Sequence, residues 1–169
     1  MNAIPLKIVS GGQTGADRAA LDWAIDHDIL HGGWCPTGRM AEDGQIPMRY
    51  QLTEVPDGGG YRQRTRANVR DSDATLIVSL AFVLSDGSLA TSRFADQLRK
   101  PWLHNHPGVG WRSQLSRWLQ GNAIETLNVA GPRASKEHGI EIFTHEVLDE
   151  LLEVAKADTG SPIIFRLKT

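Results

Sequence analysis

The chain has a single cysteine, Cys35, among its 169 residues. No disulfide can form within it, and the expected compartment is a reducing one. It also lacks an excess of charge of either sign: 18 basic against 20 acidic residues leave a formal charge of −2. That balance gives no electrostatic basis for a nucleic-acid partner, although it leaves room for a local basic pocket. No apolar run approaches the roughly 18 residues of a membrane helix. The opening MNAIPLKIVSGG is too short for a signal-peptide core and has no cleavage motif. A cytoplasmic protein without membrane association is therefore expected. The six histidines are scattered, and His104-Asn105-His106 has no partner at zinc spacing, so no metal site is expected. No Ser-His-Asp order or paired-carboxylate arrangement can be assigned.

The chain does have alternation. Residues 6–10, LKIVS, read as a buried strand, broken by GGQTG. Ala16, Ala19, Ala20, Trp23 and Ala24 then recur at helical spacing to about His27. A weaker strand is expected over 29–34, and residues 35–60 show no periodicity and read as a long loop, suited by its mixed charge to covering a polar ligand. A short polar helix over 61–70 precedes ATLIVSL, residues 74–80, a continuous apolar run of parallel-sheet type. After a loop ending at Asp86-Gly87-Ser88, a helix is marked by Ala90, Phe94, Ala95 and Leu98. A strand over 101–104, a helix striped by Trp111, Leu115, Trp118 and Leu119, a strand over 126–130 and a terminal helix through Phe143, Val147, Leu148, Leu151, Leu152 and Ala155 follow. About five strand–helix alternations without repeat or linker predict one α/β domain, a Rossmann-like three-layer α/β/α sandwich with a mostly parallel central sheet. The domain is expected over 1–157, with 158–169 as a C-terminal tail.

In an open parallel sheet, ligands sit beyond the carboxyl ends of the strands, which directs attention to four segments. Ser10-Gly11-Gly12-Gln13-Thr14-Gly15-Ala16-Asp17-Arg18 joins a strand to a helix N-terminus, where backbone N–H groups and the helix dipole favour a phosphate. It is neither the dinucleotide fingerprint nor a P-loop, since the Lys-Ser/Thr pair is missing. An ordinary turn capped by Thr14 or Asp17 is the plainer reading. Gly87 and Ser88 offer either a second donor set or a simple N-cap. Gly131-Pro132-Arg133-Ala134-Ser135 places an arginine able to grip an anion bidentately, beside a serine, or else a surface loop arginine. Arg39 lies in the long loop with Cys35, which reads as a packed small residue before a ligand. Arg70 and Asp71 pair near the site or merely end a helix.

Residues 8–22, IVSGGQTGADRAALD, resemble the opening of the molybdenum carrier family, also described as the circularly permuted YpsA branch of the SLOG superfamily. The likeness continues through Gly32-Gly33-Trp34-Cys35-Pro36-Thr37-Gly38-Arg39, Ala41-Glu42-Asp43-Gly44 and Ile46-Pro47. It resumes in Gln63-Arg64-Thr65, residues 68–73 and residues 128–135, and so spans about 6–155. It implies a permuted Rossmann-like sheet whose first and third segments converge on a nucleotide-like ligand. Members are described as homo-oligomers, dimers or tetramers, that bind and protect the molybdenum cofactor (molybdopterin), a phosphorylated pterin whose dithiolene holds molybdenum. On that reading Gly11, Gly12, Gln13, Thr14, Gly15 and Asp17 surround the phosphate. Gly131, Pro132, Arg133 and Ser135 complete the anion site, with Arg39, Arg70, Asp71, Gly87 and Ser88 as further contacts.

A related branch, the cytokinin-activating phosphoribohydrolases, carries a Pro-Gly-Gly-x-Gly-Thr-x-x-Glu loop with a catalytic glutamate. Here the corresponding segment reads SDGSLAT, residues 85–91, with no glutamate at or beside Thr91. That weighs against N-glycosidic hydrolysis and for a non-catalytic binder. A sensor for a nucleotide or nucleotide-derived ligand is the alternative.

Overall fold

The computed structural model describes residues 6–157. The chain runs β1 (Lys7–Val9), α1 (Ala16–Asp26), β2 (Leu30–Gly32), β3 (Trp34–Cys35), β4 (Met40–Ala41), β5 (Gly44–Gln45) and β6 (Thr53–Glu54). It continues through α2 (Tyr61–Arg70), β7 (Ala74–Val78), α3 (Asp86–Gln97), β8 (Trp102–Asn105), α4 (Trp111–Gln120), β9 (Thr126–Ala130) and α5 (Ile140–Ala157). Five strands form one sheet in the order β2-β1-β9-β7-β8, and every pairing in it is parallel. The architecture is the expected Rossmann-like α/β fold. The expected tail, 158–169, lies outside the described residues.

The last strand of the chain is the middle strand of the sheet. β9 pairs with β1 through Ile8↔Leu127 and with β7 through Leu76↔Val129, so its backbone is satisfied on both edges. Strand alternation divides its side chains. Leu127 and Val129, with Ile8, Leu76 and Val78, enter a core shared with Trp23, Leu115, Phe143 and Leu148 beneath α1, α4 and α5. Each such aliphatic side chain contributes about 2 kcal/mol on burial. The opposite face is smaller. Val69, Phe94 and Ala95 pack α2 against α3 there, and Asn128 Nδ2 donates to Thr75 Oγ1 at 3.2 Å in the buried sheet.

Three expectations change. The strand over 29–34 divides at Gly33, whose φ of 124° turns the chain out of the main sheet, so Trp34 and Cys35 pair with β6 instead. Residues 35–60 are not a featureless loop. They contain β4 and β5, an antiparallel hairpin, and a small core in which Cys35, Ile46 and Tyr50 pack on Leu21 of α1. That core is built from single apolar residues spread over sixteen positions, which leaves no periodic trace. Helix α3 begins at Asp86, before the apolar stripe that marked it, because its first turn carries Gly87 and Ser88 rather than hydrophobic residues. Among the described residues, no helix is long and apolar enough to cross a membrane.

Candidate functional site at the carboxyl edge of the sheet

The chain leaves β1 toward β2 on one side and leaves β7 toward β8 on the other, with β9 between. The loops therefore diverge at the carboxyl ends of these three strands, the place where open α/β sheets hold ligands. A cleft of about 860 Å³ opens there, within the size range of small-molecule sites. The loop after β1 supplies Gly11 and Gln13, the first turn of α1 supplies Asp17, and the first two turns of α2 supply Arg64 and Asn68. The segment into α3 adds Ser85 to Ser88, and the segment after β9 adds Gly131, Pro132, Arg133, Lys136 and Glu137.

The loop after β1 is knit to its neighbours rather than left open. Gly15, at φ 81°, would place a Cβ 2.4 Å from the Pro132 carbonyl oxygen. Only glycine allows that approach, and it lets the Ala16 N–H donate to the same carbonyl at 3.2 Å. The Gln13 N–H donates to Asp17 Oδ2 at 3.3 Å and the Thr14 N–H to Gln13 Oε1 at 3.0 Å. Gly12 faces Leu52 and Ile46 of the 35–60 segment rather than the cleft. The Thr14 hydroxyl donates to the Glu42 carboxylate, and the Ser135 hydroxyl and N–H donate to it as well.

Charge in the cleft is paired. Arg64 Nη1 stands 2.7 Å from Asp17 Oδ2, with side-chain exposures of 11% and 7%. Burial pushes the Asp17 carboxyl above its usual range, and the Arg64 guanidinium opposes that rise. Arg133 Nη1 lies 3.9 Å from Glu42 Oε2, and Lys136 Nζ 3.6 Å from Asp86 Oδ2. Lys136 and Asp86 are mostly exposed and Arg133 is over a third exposed, so these two pairs contribute at most about 1 kcal/mol, and either cation can be re-partnered at little cost. Glu137 accepts the N–H groups of Leu80 and Ala81.

Besides Gly12, three residues expected at the site stand elsewhere: Arg39, Arg70 and Asp71. Arg39 is buried, and its guanidinium donates to the carbonyls of Ile46, Pro47, Leu52 and Tyr50. It holds the 35–60 segment together, with four of its five donors spent on backbone carbonyls. Arg70 and Asp71 end α2 at the opposite, amino edge of the sheet, just before β7. There they pair with each other, and Asp71 accepts from Trp34 Nε1 at 2.7 Å. That pairing holds the Asp71 carboxyl below its usual range. Gly11, Gln13, Asp17, Gly87, Ser88, Gly131, Pro132 and Arg133 are brought to one cleft, while Thr14, Gly15 and Ser135 do not line it. The sequence reading missed Arg64, Lys136 and Glu137 as cleft residues. Arg64 was visible only within the family-like stretch Gln63-Arg64-Thr65, and its place over Gly11, whose Cβ would stand 1.8 Å from Arg64 Nη1, is a tertiary fact. Among the described residues, no group of three His, Cys, Asp or Glu side chains is placed to hold a metal ion.

No curated protein matches the chain. A crystal structure of a "putative molybdenum carrier protein" from Syntrophus aciditrophicus SB is 45% identical, aligning over 90% of this chain and 98% of that one with a TM-score of 0.81. A second structure, (E)-4-hydroxy-3-methyl-but-2-enyl diphosphate reductase, aligns at 12% identity and a TM-score of 0.39 over 88% of this chain and 59% of its own, too loosely for functional comparison. The sequence pattern of the circularly permutated YpsA SLOG family matches residues 8–152, in keeping with a last strand that sits at the centre of the sheet. The chain belongs to the circularly permutated YpsA SLOG family.

Proposed function

We propose that the cleft binds a phosphate-bearing small molecule, that this ligand is the molybdenum cofactor, and that the chain carries it without transforming it. The observation that supports the reading most is the convergence of Arg64, Arg133 and Lys136 on one cleft at the switch point. Arg133 and Lys136 are held there by weak ion pairs, with Arg133 also over the Tyr61 ring at 5.7 Å. The fit to the cofactor rests on donor chemistry. Among the described residues, Gln13 Nε2 is a buried donor without a partner, suited to an acceptor-rich ligand. The cofactor brings its own dithiolene sulfurs to the metal, so the protein need supply only hydrogen-bond and cationic contacts. The name of the 45% identical relative supports molybdenum over other cargoes. The family resemblance supports a cytoplasmic homo-oligomer.

The proposed contacts are Gly11, Gln13, Arg64, Gly131, Pro132, Arg133 and Lys136, with Gly87 and Ser88 across the cleft. Arg133→Ala removes a cation whose present partner is weak, so its stability cost is expected to stay within about 0.5 kcal/mol, as for surface changes generally. Its binding cost is expected to be at least tenfold, since a charge-assisted hydrogen bond contributes about 1.5–3 kcal/mol. Fluorescence titration of the metal-free phosphorylated pterin against both proteins measures this. Equal affinity for the two would remove Arg133 from the site. The second reading, a sensor of a nucleotide-derived ligand, is supported by the same switch-point position, where nucleotides characteristically bind.

A further inference from the structure

Every cation of the cleft already faces a carboxylate of the chain, and one of those carboxylates sits in a more complete donor set than an ion pair needs. Glu42 lies in the turn of the β4–β5 hairpin. Its oxygens accept from the Thr14 hydroxyl, the Ser135 hydroxyl and the Ser135 N–H, the last at 3.2 Å, with Arg133 Nη1 at 3.9 Å. Thr14 Oγ1 is itself fixed by accepting the Ala134 N–H at 3.2 Å. The donors come from the loops after two adjacent strands, β1 and β9, whereas the carboxylate comes from a hairpin outside the main sheet. Two hydroxyls, an N–H and a guanidinium gathered around two oxygens form the donor array by which proteins hold oxyanions.

Gln13 supplies a second and independent observation. It is 5% exposed and lines the cleft. Its Oε1 accepts the N–H groups of Thr14 and Glu42 at 3.0 and 2.9 Å, which fixes the amide orientation. Its Nε2 is then a buried donor with no partner among the described residues, a costly arrangement unless another state of the molecule provides an acceptor.

We infer that Thr14, Arg133 and Ser135 form a seat for a tetrahedral oxyanion, and that the Glu42 carboxylate is its internal occupant, displaced when the oxyanion enters. A phosphate or molybdate dianion carries more charge and more acceptor lone pairs than a carboxylate, so it can engage the same donors. Displacing the Glu42 carboxylate leaves the other anchors of the hairpin turn in place, among them the Glu42 N–H on Gln13 Oε1 at 2.9 Å. The next residue, Asp43, keeps a two-pronged pair with Arg18, one contact at 2.8 Å, and Arg39 holds the segment that follows. The inference rests on the reading of the cleft as an anion site, and it assigns that site a competitor within the chain.

The test is a calorimetric titration of inorganic phosphate, and separately of molybdate, into wild type, Glu42→Ala and Glu42→Ala/Thr14→Val, with thermal unfolding as the check on folding. Glu42→Ala is expected to bind at least one of the two anions tenfold or more tighter than wild type, and the Thr14→Val change is expected to abolish that gain. A gain for phosphate alone assigns the seat to a phosphate group, and a gain for molybdate alone to a metal-oxo group. Should Glu42→Ala unfold, Glu42→Gln, which keeps the hydrogen-bonding shape and removes the charge, is expected to show a smaller gain of the same sign. A cooperatively folded variant whose affinity for both anions is no better than wild type, or a gain that survives Thr14→Val, overturns the inference. Pterin binding by wild type without any anion gain in the variant leaves the carrier reading standing and this one refuted. An anion gain without pterin binding does the reverse.

Discussion

Arg64→Met is expected to cost about 3 kcal/mol of stability at neutral pH, because breaking a buried ion pair from one side leaves an uncompensated charge worth about 3–5 kcal/mol. Both partners are nine-tenths buried or nearly so, and their contact is 2.7 Å. The loss also has a definite pH dependence. Burial already raises the Asp17 carboxyl above its usual range against the pull of Arg64, and without the guanidinium it rises further. An acid whose pKa is higher in the folded than in the unfolded state favours folding fully below its unfolded value. That contribution is lost as pH rises through the folded value. The variant should therefore regain stability relative to wild type as pH falls from 7 toward 5. Urea unfolding at both pH values measures the difference. A loss below about 1 kcal/mol, on the scale of an exposed pair, or a difference independent of pH, would show that Asp17 has found solvent or another partner.

Gly131→Ala is expected to destabilise by about 3 kcal/mol, the upper end of overpacking costs, and to weaken any ligand held by Arg133. The added Cβ would stand 2.2 Å from the Val78 carbonyl oxygen and 2.6 Å from the Ala16 Cβ. The first is sheet backbone and the second a Cβ bonded directly to the backbone of α1, so neither can swing away as a long flexible side chain could. Gly131 is thus where β9, β7 and α1 close on one another, two residues before the arginine of the site. Gly87→Ala is the contrast. A Cβ there meets nothing within 4 Å, and within a helix the loss of glycine's unfolded-state entropy should leave stability unchanged or raise it by about 0.5 kcal/mol. Chemical denaturation of the two variants side by side checks both. Equal stability would show that the three backbones can move apart.

How much of this was legible in the sequence depended on the physical source of each signal. β7 announced itself because a strand buried on both faces must be largely apolar along a short run, and the stripes of α1, α4 and α5 because their faces cover one core. The loops bearing Gly11, Gly15, Gly131 and Arg133 were legible as strand-to-helix turns. What those glycines do was not: Gly15 and Gly131 let loops and elements of the chain approach one another. Arg39 shows the limit most clearly. A single arginine in a polar stretch reads as an exposed cation, and nothing local reveals that four carbonyls from Ile46 to Leu52 converge on it. Arg64 shows the converse, a residue inside a polar helix that tertiary packing delivers to the centre of the cleft. Glu42 was readable only as part of a family-like string, because its donors come from positions 28 and 93 residues away.

The measurement that tests ligand binding most directly is thermal unfolding of metal-free protein with the molybdenum cofactor, its metal-free phosphorylated pterin, molybdate, ATP, AMP and NAD. A ligand bound only by the folded chain at about 100 times its dissociation constant adds about 2.7 kcal/mol. For a chain of this length that is a rise of roughly 5–10 °C, at about 2–4 °C per kcal/mol. Stabilisation by the cofactor and the pterin, without a matching rise from the nucleotides, is the expected result. A rise with a nucleotide and none with cofactor or pterin would contradict the proposed carrier function and assign the cleft to nucleotide sensing.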